Sequence, residues 1–206
     1  MEQSHHSLLA FWFLFVVSFV EGGAVMAVEI VGAKLVGPFY GSSLYVWAAV
    51  LALTLGGLTT GYFLGGLVSR RFPCKRTLYL VMLASALLVL LMPWSAQYVM
   101  TATLGLDLRL GITLSSLVFL VPPLVCFGMV SPLIIRLVTT HDARAGHAAG
   151  TVYAISTVGG ILATYIVAFY AIPEAGMRES LLVTAALLLL FPLLYFSGIE
   201  RRITGG

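Results

Sequence analysis

The stretch Leu8-Leu-Ala-Phe-Trp-Phe-Leu-Phe-Val-Val-Ser-Phe-Val-Glu-Gly-Gly-Ala-Val-Met-Ala-Val-Glu-Ile-Val-Gly-Ala-Lys-Leu-Val36 decides the class of fold. It stays apolar for longer than the roughly 20 residues a helix needs to cross a bilayer, and its only charges are Glu21, Glu29 and Lys34. Five further stretches qualify, from about Leu44 to Val68, Thr77 to Trp94, Leu110 to Val138, Ala148 to Ile172 and Glu179 to Ser197. The loops between them are short, so residues 1–206 are expected to form a single all-α transmembrane domain of six helices. Backbone groups inside a membrane must bond within such helices.

Composition agrees. Of 206 residues, 60% are hydrophobic and only 9% charged, whereas an average soluble domain carries about 25% charged residues. The net charge of +3 comes from basic residues scattered among loops. A nucleic-acid partner would need them gathered in a patch. Cys74 and Cys126 show neither CxxC nor metal-ligand spacing and read as reduced thiols without a role.

Lysine and arginine concentrate on the untranslocated side of a membrane protein. With the amino terminus inside, that side holds Arg70, Arg71, Lys75, Arg76, Arg136, Arg144, Arg201 and Arg202, and the outer side only Lys34, Arg109 and Arg178. The expectation is a multi-pass protein of the cell (inner) membrane with both termini cytoplasmic. Leu8 to Val20 could pass for a signal-peptide core, but residues before it lack lysine and arginine and the apolar run continues past Glu21, so cleavage is not expected. His5 and His6 fit a solvated terminus.

Glu21 and Glu29 are costly, because an ionised side chain at the bilayer centre costs about 2.5 kcal/mol or more. Eight residues apart, they lie about 80° apart around the helix and about 12 Å along it, so one broad face presents both. Lys34 stands a turn beyond Glu29, where it can pair with it or snorkel. Two interpretations stay open: an acidic, protein-lined ligand site for a proton or an amine, using Glu21, Glu29 and Lys34, or carboxyls hydrogen-bonded to neighbouring helices.

Gly57, Gly61 and Gly65 recur every four positions in the second span, and Gly159 and Gly160 pair in the fifth. Such residues let backbones approach closely; both helices are expected to face the bundle centre or a partner. Pro122 and Pro123 interrupt the fourth span, with Pro132 beyond them, and each removes a backbone donor, so that helix is expected to kink or unwind. Ser43-Leu-Tyr45 and Thr151-Val-Tyr153 open the second and fifth spans alike, a faint echo of three helices repeated with inverted topology.

The run from Glu29 through Val36-Gly-Pro-Phe-Tyr-Gly-Ser-Ser-Leu-Tyr-Val-Trp47, followed by Gly61-Tyr-Phe-Leu-Gly-Gly66, resembles the membrane domain of spermidine-synthase-like proteins. Gly128-Met-Val-Ser-Pro132, Gly150-Thr-Val-Tyr-Ala154, Gly159-Gly160 and Ile172-Pro-Glu-Ala-Gly176 resemble its second half. The resemblance implies a three-plus-three bundle similar to half of a major-facilitator transporter, usually followed by a soluble aminopropyltransferase-like domain. No glycine-rich nucleotide loop follows Ile199-Glu-Arg-Arg-Ile-Thr-Gly-Gly206, so polyamine synthesis by this chain is not expected. The stretch from Gly66 to Arg76 resembles a major-facilitator loop, but Ser69 stands near where that loop has an aspartate and Pro73 near a glycine.

No nucleophile–base pair, metal cluster, phosphate cradle or intramembrane histidine pair is present in the sequence, so no catalytic residue, metal or cofactor is expected. The first expectation for function is a non-catalytic membrane subunit whose glycine-rich faces and short loops dock another membrane or membrane-associated chain. The alternative is a homodimeric carrier or binding protein for a small cation such as a polyamine. Lipid is a partner in both; nucleic acid is a partner in neither.

Overall fold

The computed structural model describes residues 2–139 and 145–198, with side chains from residue 12 onward. Of the residues invoked above, Arg144, residues 199–206 and the side chains of His5 and His6 lie outside the described residues. The described chain is an all-α, membrane-type bundle. It comprises α1 (Glu2–Tyr40), α2 (Leu44–Arg71), α3 (Lys75–Thr103), α4 (Leu108–Phe119), α5 (Val121–Val138), α6 (Ala145–Ile166), a π-helical segment (Val167–Ala175) and α7 (Met177–Phe196). Among the described residues six helices are long and apolar enough to cross a membrane, α6 and the π segment counting as one.

The fourth crossing is divided. Pro122 and Pro123 have no N–H to give to the preceding turn, and α4 passes to α5 through Leu120, which keeps helical angles at φ −96° and ψ −43°. The backbone therefore does not unwind at these prolines, and Pro132 sits inside the continuous α5. Asp107 caps α4 by accepting from the Arg109 N–H at 3.1 Å. The third crossing runs nine residues past Trp94, to Thr103, because the sequence there carries polar groups but nothing that breaks a helix.

Packing follows a simple rule. The first crossing packs on the fifth and the sixth, the second on the fourth, and the third on the fourth and the sixth. Exchanging first with fourth, second with fifth and third with sixth leaves this set of pairs unchanged. α1 is the central helix, touching every other element, and 61% of its most apolar window is buried, against 28% for α2 and 17% for α6 with the π segment. Six crossings bring the ends of the described chain to one side. Arg70, Arg71, Lys75, Arg76 and Arg136 lie at that end of the bundle, and Lys34, Arg109 and Arg178 lie towards the other.

Candidate functional site

Glycines set how closely the helices approach. On α2 the buried stripe is Val46, Val50, Thr54, Gly57, Gly61, Gly65 and Ser69, small residues at helical spacing. A Cβ added at Gly61 would stand 2.8 Å from Gly128 Cα, and one at Gly65 would stand 2.7 Å from Met129 Cα, both on α5. At the α1–α6 contact a Cβ on Gly22 would strike the Ser156 backbone, and one on Gly159 the Phe19 carbonyl; one on Gly160 would meet Met26. The glycine stripes are thus spent inside the bundle, α2 on α5 and α1 on α6; of the bundle centre and a partner, the two surfaces the sequence leaves open to them, these residues meet the first. A close backbone approach is equally useful within one chain or between two, and spacing alone does not distinguish these.

The same α1–α6 contact brings Glu21 to its partner. Ser18 Oγ donates to the Val152 carbonyl at 3.1 Å, and one turn on Ser156 Oγ donates to Glu21 Oε2 at 3.3 Å. Glu21 is only 3% exposed. It looks onto a cavity of about 270 Å³ with Gly22, Val25 and Met26 on α1, Tyr62 on α2, and Thr157, Gly160, Ile161 and Thr164 on α6. α2 and α6 make no direct backbone approach; they are bridged by the edge-to-face rings of Tyr62 and Tyr153, 6.3 Å between centroids. The result is a groove floored by α1 and flanked by α2 and α6.

Depth follows from the rise of an α-helix, about 1.5 Å per residue. Tyr62 is nine residues from Arg71, the basic end of α2. That helix therefore places the groove about 14 Å from the end of the bundle that holds the termini, near the middle of a hydrocarbon layer about 30 Å thick. Its threonines satisfy themselves: Thr157 donates to the Tyr153 carbonyl at 2.7 Å and Thr164 to the Gly160 carbonyl at 2.8 Å. Among the described residues one neutral donor reaches Glu21, at a distance beyond the usual range for O–H···O, and it does not offset the cost of an ionised carboxylate at that depth. An ionised Glu21 needs a cation beside it, whereas a neutral one needs only Ser156.

Glu29 is 9% exposed and makes no hydrogen bond or ion pair among the described residues. It does not line the groove, but it follows Gly22 and Met26 at i+7 and i+3, so it extends their stripe along α1. Lys34 is exposed and forms no ion pair with Glu29; of the two arrangements open to it, only the one facing outward is found. Tyr62, Ser156, Thr157 and Thr164 are the site residues that sequence reasoning did not single out for this role. Nothing in the local sequence marks Ser156 beyond its being a small residue of a glycine-rich helix, and Tyr62 stands out only as part of the Gly61–Gly66 run. Among the described residues no three His, Cys, Asp or Glu side chains gather to hold a metal ion.

No protein-family model matches this chain, and neither the curated proteins nor the solved structures contain a significant match.

Proposed function

We propose that the chain is a non-catalytic integral membrane subunit, similar to the membrane domain of spermidine-synthase-like proteins, that holds a second membrane-embedded chain against the face made by α2 and α6. The observation that carries this proposal is the contrast along that face. α2 and α6 are among the least buried crossings, yet they flank the groove that contains Glu21. Tyr62, Tyr153, Ile161 and Tyr165 are exposed there, and the Cβ position of Gly150 is open. A polar groove at mid-bilayer depth is better covered by protein than by lipid tails, because protein can answer its polar groups. The exchange symmetry of the helix pairs favours a three-plus-three bundle like half of a major-facilitator transporter. The basic residues gathered at one end favour the cell (inner) membrane with both termini cytoplasmic. Purification of the tagged chain in a mild detergent is expected to recover a second chain in stoichiometric amount; recovery as a lone monomer contradicts the proposal.

A second function is favoured by Glu21 and Glu29 themselves. Two copies meeting across the α2–α6 face would enclose both grooves and make a carrier or binding site for a small cation such as a polyamine, the carboxylates neutralising its ammonium groups about 12 Å apart. Uptake into proteoliposomes is then expected to be lost in Glu21→Gln and weakened in Glu29→Gln. Uptake unchanged in both variants contradicts it.

A further inference from the structure

A second, almost wholly apolar cavity lies on the other side of α6. It holds about 310 Å³, at the lower end of the range for ligand pockets, about 300–1,000 Å³. Its floor is α1 at Gly23, Ala24 and Ala27, and its far end reaches Glu179 and Ser180 at the start of α7. It exists because α6 and α7 do not touch: they meet only through the π segment, while both pack on α1. The wider π turns, with Pro173 inside them and Gly176 at φ +97°, carry the chain across the gap. Leu162, Ile166, Val183 and Leu187 stand at the mouth and are each about half exposed, so the crevice opens sideways onto the surface that meets lipid.

We propose that this crevice holds one acyl chain of a bilayer phospholipid, with an amine-bearing headgroup beside Glu179. Water does not stably occupy a pocket with walls this apolar, and an unfilled void forfeits the dispersion contacts of its lining. A neighbouring lipid chain is the apolar filler present at that depth. The volume suits one chain segment and excludes a whole lipid. The polar end is at the right level: α7 has 20 residues, about 30 Å of helix, which matches the hydrocarbon thickness and puts Glu179 in the interface of the leaflet opposite the termini. Ser180 and Thr184 do not compete for a headgroup, since their hydroxyls donate to the Gly176 and Ser180 carbonyls at 2.6 and 2.8 Å. Glu179 is exposed and makes no ion pair among the described residues. Its neighbour Arg178 lies over the Trp94 ring, 5.2 Å from the guanidinium carbon to the centroid, at the level where headgroups sit. An ammonium group meets Glu179 favourably, and an anionic glycerol headgroup does not.

The proposal is independent of the α2–α6 face and can fail without it. The test is native mass spectrometry of the full-length protein, delipidated and then offered equal amounts of phosphatidylethanolamine and phosphatidylglycerol with matched chains. The expected result is one retained phosphatidylethanolamine per chain. Val183→Trp, which adds bulk only at the exposed mouth, and Ala163→Phe, which fills the interior, are each expected to reduce retention at least fivefold. Glu179→Gln is expected to keep one lipid but remove the headgroup preference. The proposal is overturned if no single lipid is retained, if Val183→Trp retains it as well as the natural chain does, or if phosphatidylglycerol is preferred. It is also overturned if a second protein chain occupies the crevice.

Discussion

Ser156 contacts α1 twice in the space of two residues: its hydroxyl donates to Glu21 Oε2 at 3.3 Å, and its backbone lies against the bare Cα of Gly22. The hydrogen bond and the close approach depend on each other. Any side chain at position 22 pushes α6 away and takes Ser156 out of reach of Glu21.

Gly22→Ala and Gly159→Ala are therefore expected to destabilise the bundle by about 1–3 kcal/mol, the usual cost of overpacking, whereas Gly56→Ala and Gly150→Ala, where nothing lies within 4 Å of the added Cβ, are expected to be neutral or stabilising by up to about 1 kcal/mol through helix propensity. Thermal unfolding in detergent compares the four. Equal effects at buried and open glycines would refute the close approach.

Glu21→Gln keeps the acceptor for Ser156 and removes the charge. Folding stability is expected to hold or rise, since a neutral amide costs less than an ionised carboxylate at mid-bilayer. Ser156→Ala is expected to cost about 1 kcal/mol, the net worth of one hydrogen bond. A marked loss of stability in Glu21→Gln, measured by chemical or thermal denaturation, would mean that the charge is held by a partner within the folded chain.

Cys74, in the loop before α3, is exposed. Its thiol lies 3.1 Å from the Thr77 hydroxyl, and that hydrogen bond, helped by Arg76, holds it below the ordinary thiol range. The thiolate, the reactive form, is therefore present at lower pH than in a free cysteine. Thr77→Ala removes the main cause, so the midpoint of alkylation against pH moves up and labelling at neutral pH slows. A membrane-impermeant maleimide is expected to label Cys74 in inverted vesicles and to spare it in intact cells. The opposite pattern reverses the orientation.

What the sequence made legible was what hydropathy and backbone chemistry encode. Six apolar runs announce six crossings because each must satisfy its backbone internally, and Pro122 with Pro123 marks the division at Leu120 because a missing N–H is a property of the residue itself. The π segment was not legible: its bonding shift leaves hydropathy unchanged, and only Pro173 and Gly176 hint at it. The extension of α3 past Trp94 is not legible, because Ser95 and Gln97 end the apolar run without ending the helix. The site was half legible. Glu21 stands out as a charge in an apolar run, but Ser156 lies 135 positions away in the chain, and no local pattern joins them. Nor does the spacing of Gly57, Gly61 and Gly65 say whether the surface they offer is filled by α5 or by another molecule.

The claim on which the functional account turns is that the α2–α6 face meets another protein chain in the membrane. Photo-crosslinking amino acids placed at Tyr62 and Ile161 on that face, and at Leu87 and Leu91 on α3, which touches neither α2 nor α6, test it in intact membranes. All four positions are about half exposed, so access alone does not separate them. The account predicts a discrete protein adduct from Tyr62 and Ile161 and only lipid adducts from Leu87 and Leu91. Lipid adducts alone from all four positions, or a protein adduct arising only from α3, would contradict it.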